Sequence, residues 1–196
     1  MKILKYLLYI IIALIFLFFL MGFIKPTVQY GHEITVNKSK KEAWAVFQDE
    51  SKYDQWLDGF KSIDLISGEK GKVGSMYKVV VNPGDGQPDF EMIETVTSMK
   101  KLEYVELSFD SDMMEFQQKT SFSGNGGNVT IKTDSKVIGK GMVMSSMFAI
   151  MSVFSDSFQK QEEKNIEALK KIIENNTTDY FPEPIVPEEI QQISGK

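Results

Sequence analysis

The sequence predicts an α+β chain in which one transmembrane helix precedes a curved antiparallel sheet of about seven strands with a long C-terminal helix lying across it. Three observations carry that expectation. The nineteen positions Tyr6 to Ile24 hold no charge. Between Phe60 and Gly139 apolar and polar residues alternate in segments punctuated by Gly, Pro and Asn. From about Met142 to Asn175 apolar residues return at helical spacing.

The first element is the apolar run. At ~1.5 Å per residue, a helix of this length crosses a hydrocarbon core about 30 Å thick with its backbone hydrogen bonds satisfied internally. A cleaved signal peptide is the rival, but its apolar region is about 7–15 residues long and ends in small residues. Here the exit is Gly22-Phe23-Ile24-Lys25-Pro26, so residues 1–26 are expected to form an uncleaved anchor. Lys2, Lys5 and the amino terminus flank one end, and Lys25, Lys38, Lys40 and Lys41 follow the other. The short basic N-terminus favours an N-inside orientation, with the rest of the chain outside the cytoplasm.

Residues 27–176 are expected to form one domain. Positions 28–36, VQYGHEITV, have strand composition. Ser39 and Glu42 make a capping box, and the helix it opens places Ala43, Trp44 and Phe47 on one face. A short second helix presents Tyr53, Trp56 and Leu57 before Gly59 stops it. Six strand candidates follow at 60–69, 74–82, 89–99, 102–110, 114–123 and 128–139. The clearest, from Val129 to Val137, sets Val129, Ile131, Thr133, Ser135 and Val137 against Thr130, Lys132, Asp134 and Lys136, which gives one dry face and one wet one. Short links between these strands imply an antiparallel meander. The last helix is apolar nearly all round over GMVMSSMFAIMSVF and amphipathic through Phe158, Ile166, Leu169, Ile172 and Ile173, so it is expected to be buried at its start and exposed at its end. Residues 177–196, with three prolines and four acidic residues, read as a flexible tail.

Composition narrows the partners. Beyond the anchor, nineteen lysines stand against twenty-seven acidic residues, a net charge of about −8. Such a surface has no basic patch to displace counterions from phosphates, which argues against nucleic acid. The chain has no arginine to clamp carboxylates or phosphates with a bidentate fork, and no cysteine for disulfides or thiol chemistry. His32 is its single histidine, so a histidine cluster for zinc or a Ser-His-Asp set with several histidines to choose from has little to recruit; an edge position is expected for it. Asp110 and Asp112 lack the glycine and distal glutamate of a calcium loop. GNGGN, at 124–128, lacks the following helix and Lys-Ser/Thr pair of a phosphate loop. No catalytic set, metal site or cofactor is expected.

The segment 34–60, ITVNKSKKEAWAVFQDESKYDQWLDGF, resembles the opening of the START and Bet v 1-like (SRPBCC) superfamily, with its strand, small-residue cap, helix with a central Trp, and Tyr…Trp-Leu stretch before the second strand. The likeness extends from about Tyr30 to Asn175. It implies the helix-grip fold, and bacterial members are often labelled polyketide cyclase or dehydratase. It also implies an apolar cavity between sheet and C-terminal helix, suited to a lipid or other apolar small molecule. The residues expected to line it are Tyr77, Met92, Glu94, Tyr104 and Glu106 from the sheet and Met144, Met147, Phe148 and Met151 from the helix. Methionine suits a wall that must fit varied shapes, although a Met and Phe stripe at helical spacing also serves simply as core. A carboxyl group facing such a cavity would have a raised pKa and could act as acid or base, the alternative for Glu94 and Glu106 being a solvated strand face.

Three functions remain open on this basis: a membrane-anchored binding module for an apolar molecule, a cyclase- or dehydratase-like enzyme using the same cavity, and a protein-binding adaptor. A further possibility, that 141–154 dips into the bilayer beside the anchor, is weakened by Gly141, Ser145, Ser146 and Ser152 and by a length too short to span.

Overall fold

The structure is a computed structural model that describes residues 2–84 and 86–182. Helix α1, Lys2–Ile24, is followed after only Lys25 and Pro26 by strand β1, Thr27–Tyr30. Strand β2, Glu33–Val36, leads into α2, Lys40–Phe47; a 3-10 turn at Glu50–Lys52 and the short α3, Tyr53–Trp56, come next. The meander consists of β3, Phe60–Ser67; β4, Met76–Val81; β5, Phe90–Lys100; β6, Tyr104–Asp110; β7, Met114–Ser123; and β8, Val129–Gly139. Two helices close the fold, α4, Gly141–Phe154, and α5, Ser157–Glu174.

All pairings are antiparallel, in the order β1-β8-β7-β6-β5-β4-β3 with β2 also on β8. Residues 27–36 behave as one strand with a kink, because Thr27 pairs with Ile138 and Glu33 with Lys132 in unbroken register. At the kink, the Thr133 amide donates to the His32 carbonyl at 2.9 Å. Gln159 of α5 bridges the Gly31 backbone, donating from Nε2 to its carbonyl at 2.9 Å. Counted as one strand, 27–36 brings the eight-stranded sheet to the expected seven runs.

The opening of α2 follows from its cap. The Ser39 hydroxyl accepts from the Glu42 amide at 3.2 Å while the Glu42 carboxylate accepts from the Ser39 amide at 3.2 Å, which satisfies donors that no helical turn can reach. Trp44 and Phe47 then meet Phe122 edge to face at 5.1 and 5.3 Å. The main core lies between the sheet and α2, α3 and α5, where Val36, Val46, Val129, Ile131, Leu169 and Ile173 are fully enclosed. Each large aliphatic side chain buried there contributes about 1.5–3 kcal/mol before entropy is counted.

The closing helix departs from expectation. It is two helices bent by 70°, not one. Asp156 sits at φ +49°, the left-handed region, and ends one helical path before the next begins. The burial order is also reversed. The amphipathic α5 grips the sheet through Ile166, Leu169 and Ile173, whereas α4 packs against α1 and leaves Met142, Val143 and Phe154 exposed. An all-round apolar helix needs apolar surroundings, and α1 supplies part of them. A second core cluster forms where the inner side of α4 meets the sheet, with Phe148 against Val28 and Val137.

The expected tail starts inside the described residues. Tyr180 folds back on the domain, its hydroxyl donating to the Asp49 carboxylate at 2.6 Å, and Lys41 lies 3.7 Å from the centre of the Phe181 ring. The remainder of that segment, 183–196, lies outside the described residues.

Candidate functional site

Between the sheet and α5 lies a cavity of about 310 Å³, enough for a small organic molecule. Its wall is built by alternation. On β4 the inward side chains are Tyr77, Val79 and Val81; on β5 they are Met92, Glu94 and Val96; on β6, Val105, Leu107 and Phe109. A bulge between Val96 and Ser98 shifts the phase of β5, so Met99 turns inward as well. Trp56 and Leu57 close one side. Tyr30, Phe116 and Phe158 close the other with stacked rings, Tyr30 lying 6.4 Å from Phe116 and 5.6 Å from Phe158.

Polar groups are few and placed at the margins. Glu50 and Lys70 form an ion pair of 2.6 Å at one rim. Asp58 and Asn165 join the α3–β3 link to α5, with the Asp58 amide donating to Asn165 Oδ1 at 3.1 Å and Lys164 at 2.8 Å from the Asp58 carboxylate. The Tyr77 hydroxyl accepts from the Gly71 amide at 2.8 Å. Glu162 is buried on α5 and accepts from Gln118 Nε2 at 3.1 Å. Burial pushes its carboxyl above the usual range, against the opposing pull of Thr133, His32 and Gln118. Burial likewise raises the Tyr30 and Tyr53 hydroxyls, helped by the charges of Glu162 and Glu94 respectively.

Two lining groups stand apart. Glu94 is pushed up to about 7 by its enclosure and, secondarily, by the charge of Glu50, which makes it a carboxyl that exchanges its proton near neutrality. Trp56 Nε1 is buried without a hydrogen-bond partner among the described residues. A buried N–H left unmatched costs about 1–3 kcal/mol. A molecule held here would meet apolar walls and two enclosed carboxyls, Glu94 and Glu162.

The structure brings Tyr77, Met92 and Glu94 together on this wall and places the other expected residues elsewhere. Tyr104 and Glu106 occupy the opposite face of the sheet, because on β6 the apolar residues are the odd-numbered ones; Glu106 pairs there with Lys119 at 2.7 Å, and the same ammonium lies 4.3 Å from the Tyr104 ring centre. Met144, Phe148 and Met151 pack in the second cluster, behind the wall that Tyr30, Phe116 and Phe158 present to the cavity. Met147 is exposed on α4. These four leave the cavity because the helix breaks at Asp156, so that α5, not α4, roofs it. The sequence reasoning missed Glu162, although it interrupts an apolar stripe four residues after Phe158 and four before Ile166. His32 lies at the edge position foreseen, with Nε2 3.4 Å from Glu167 of α5.

No protein-family model matches the sequence, and no curated protein is similar enough to count as a match. Solved structures do resemble the fold. A conserved protein from Geobacillus kaustophilus aligns with a TM-score of 0.59 and 15% identity, covering 74% of this chain and 95% of that one. Ara h 8.0201 aligns with a TM-score of 0.56 at 15% identity over 76% of this chain and 99% of its own. Norcoclaurine synthase from Thalictrum flavum, solved in complex with dopamine and hydroxybenzaldehyde, aligns with a TM-score of 0.55 at 14% identity over 78% and 90%. With an antiparallel sheet wrapped around a closing helix and these structures as its neighbours, residues from about 27 to 175 have the Bet v 1-like, helix-grip fold.

Proposed function

We propose that the chain is a membrane-tethered binding module that holds an apolar small molecule or lipid in the cavity beneath α5, with Glu94 as an enclosed polar group on its wall. The observation that carries this is an apolar cavity with an enclosed carboxyl, Glu94, on its wall. The Bet v 1-like fold commonly encloses hydrophobic ligands. Helix α1, 23 residues long with Gly22 as its buried residue, is apolar enough to cross a membrane. Tethering then keeps the cavity next to the phase in which an apolar guest dissolves.

The test is native mass spectrometry of the full chain, extracted from membranes in mild detergent, followed by identification of whatever co-purifies. A stoichiometric apolar passenger is expected, and Met92→Trp should expel it by filling the cavity. A cavity that is empty after purification, and that also refuses an apolar fluorescent reporter, would overturn the proposal.

Glu94 favours one second reading. A carboxyl titrating near neutrality is suited to general acid or base work, and norcoclaurine synthase shows an enzyme on this fold. On that reading the cavity would turn over its guest, and Glu94→Gln would abolish conversion while retaining the bound molecule.

A further inference from the structure

We infer that α4 is a second membrane contact, a helix lying in the bilayer interface beside the exit of α1, so that the lipid surface covers its outer side. The inference rests on the anchoring role of α1 proposed above. Four observations on α4 support it.

The first is depth. Within α1 the shielded residues are Phe18, Leu20, Met21 and Gly22, all in its last two turns, and α4 is the element packed there. Phe18 is ~9 Å along the axis from Ile24, which matches the 5–10 Å at which interfacial helices ride. The second is closeness. A Cβ added to Gly22 would lie 2.7 Å from the Ser146 amide nitrogen and 2.8 Å from its Cα, so the two backbones touch as small-residue helix pairs do in lipid. A helix held this tightly to the end of a membrane span shares its surroundings.

The third is the exposed side itself. Met142, Val143, Met147, Val153 and Phe154 fall within about 140° of arc around the helix, and Phe154 is 80% exposed. No charged residue occurs between Gly141 and Phe154. The fourth concerns the serines, which at first sight argue for water. Each hydroxyl along the helix is bonded to a nearby backbone carbonyl: Ser145 Oγ donates to that of Gly139, at the end of β8, at 2.9 Å, Ser146 Oγ to Met142 at 2.7 Å, and Ser152 Oγ to Ala149 at 2.8 Å. Hydroxyls satisfied in this way are tolerated in hydrocarbon. The helix thus presents lipid with side chains only, while Met144, Phe148 and Met151 on its other side hold the domain.

The absence of cysteine makes the test direct. Full-length chains carrying Leu14→Cys, Val143→Cys, Phe154→Cys or Lys101→Cys, each labelled with an environment-sensitive fluorophore, are reconstituted into liposomes with and without lipids bearing a nitroxide near the headgroup end of the acyl chain. Loss of fluorescence at Val143 and Phe154, with none at Lys101, is the expected result. Quenching at Leu14 but at neither α4 position would overturn the inference and leave the anchor standing. No quenching at any site would remove both. Shielding of the α4 labels from lipid nitroxide and aqueous iodide alike, with disulfide-linked dimers forming at Phe154→Cys, would mean that a second copy covers this face.

Discussion

Replacing Glu94 by glutamine should stabilise the protein, and only above acid pH. Enclosure raises this carboxyl from its ordinary 4.5 to about 7. The separation corresponds to about 3 kcal/mol between its two protonation states. In the unfolded chain Glu94 ionises first, near 4.5, so between that pH and about 7 the folded state holds the extra proton and stability falls as pH rises. Above about 7 the full cost is present. Glutamine has a similar shape and never ionises, so parent and variant should be equally stable near pH 4 and differ by up to about 3 kcal/mol, in favour of Glu94→Gln, near pH 8. Urea unfolding of the full chain in detergent micelles, followed by the fluorescence of Trp44 and Trp56, measures this difference, and the other titrating groups cancel between the two proteins. A difference independent of pH, or a parent more stable than the variant in alkali, would refute the enclosed state of Glu94.

Other substitutions test the fold and the site separately. Trp44→Ala should cost about 3–5 kcal/mol by removing the buried partner of Phe122; an unchanged unfolding midpoint would contradict the packing of α2. Ser39→Ala should cost about 1 kcal/mol through loss of the capping box, visible in the same unfolding curves. Met92→Trp should block uptake of an apolar reporter while Met147→Trp leaves it unchanged, since only the first residue faces the cavity; equal effects in a reporter titration would move the site. Gly22→Val should force α1 and α4 apart, and protease sensitivity should then rise around Ser155 with the sheet still folded; an unaltered cleavage pattern would contradict the close approach.

Local signals made much of the fold legible. The Ser39–Glu42 spacing specified a helix start, and the alternation from Val129 to Val137 specified both a strand and the face it buries. Turn glycines separated β3 from β4, β4 from β5 and β7 from β8, and the structural bounds of all six meander strands lie within a few residues of those expected. What escaped was tertiary. The stretch 141–154 is apolar on every side, a pattern that records the need for apolar surroundings without naming them; α1, more than a hundred residues away in sequence, proved to be the neighbour. A single left-handed residue, Asp156, redirected the chain and moved four expected lining residues out of the cavity. Tyr104 and Glu106 were a different case, because Val105, Leu107 and Phe109 already declared which side of β6 faces inward. Glu94 was singled out from its strand position, but its titration near neutrality comes first from enclosure and second from the charge of Glu50, both of which only folding supplies.

The junction of α1 and β1 has a consequence for how such a protein could work. Lys25 and Pro26 alone separate the apolar helix from a strand hydrogen-bonded to β8, and proline narrows the torsions open to that link. A domain on a long leash sweeps a volume and can carry cargo across a gap between two surfaces. This one has almost no swing. With α1 in a bilayer, the domain would serve as a stationary berth, loaded and emptied by lateral diffusion within that one membrane or by whatever partner comes to it.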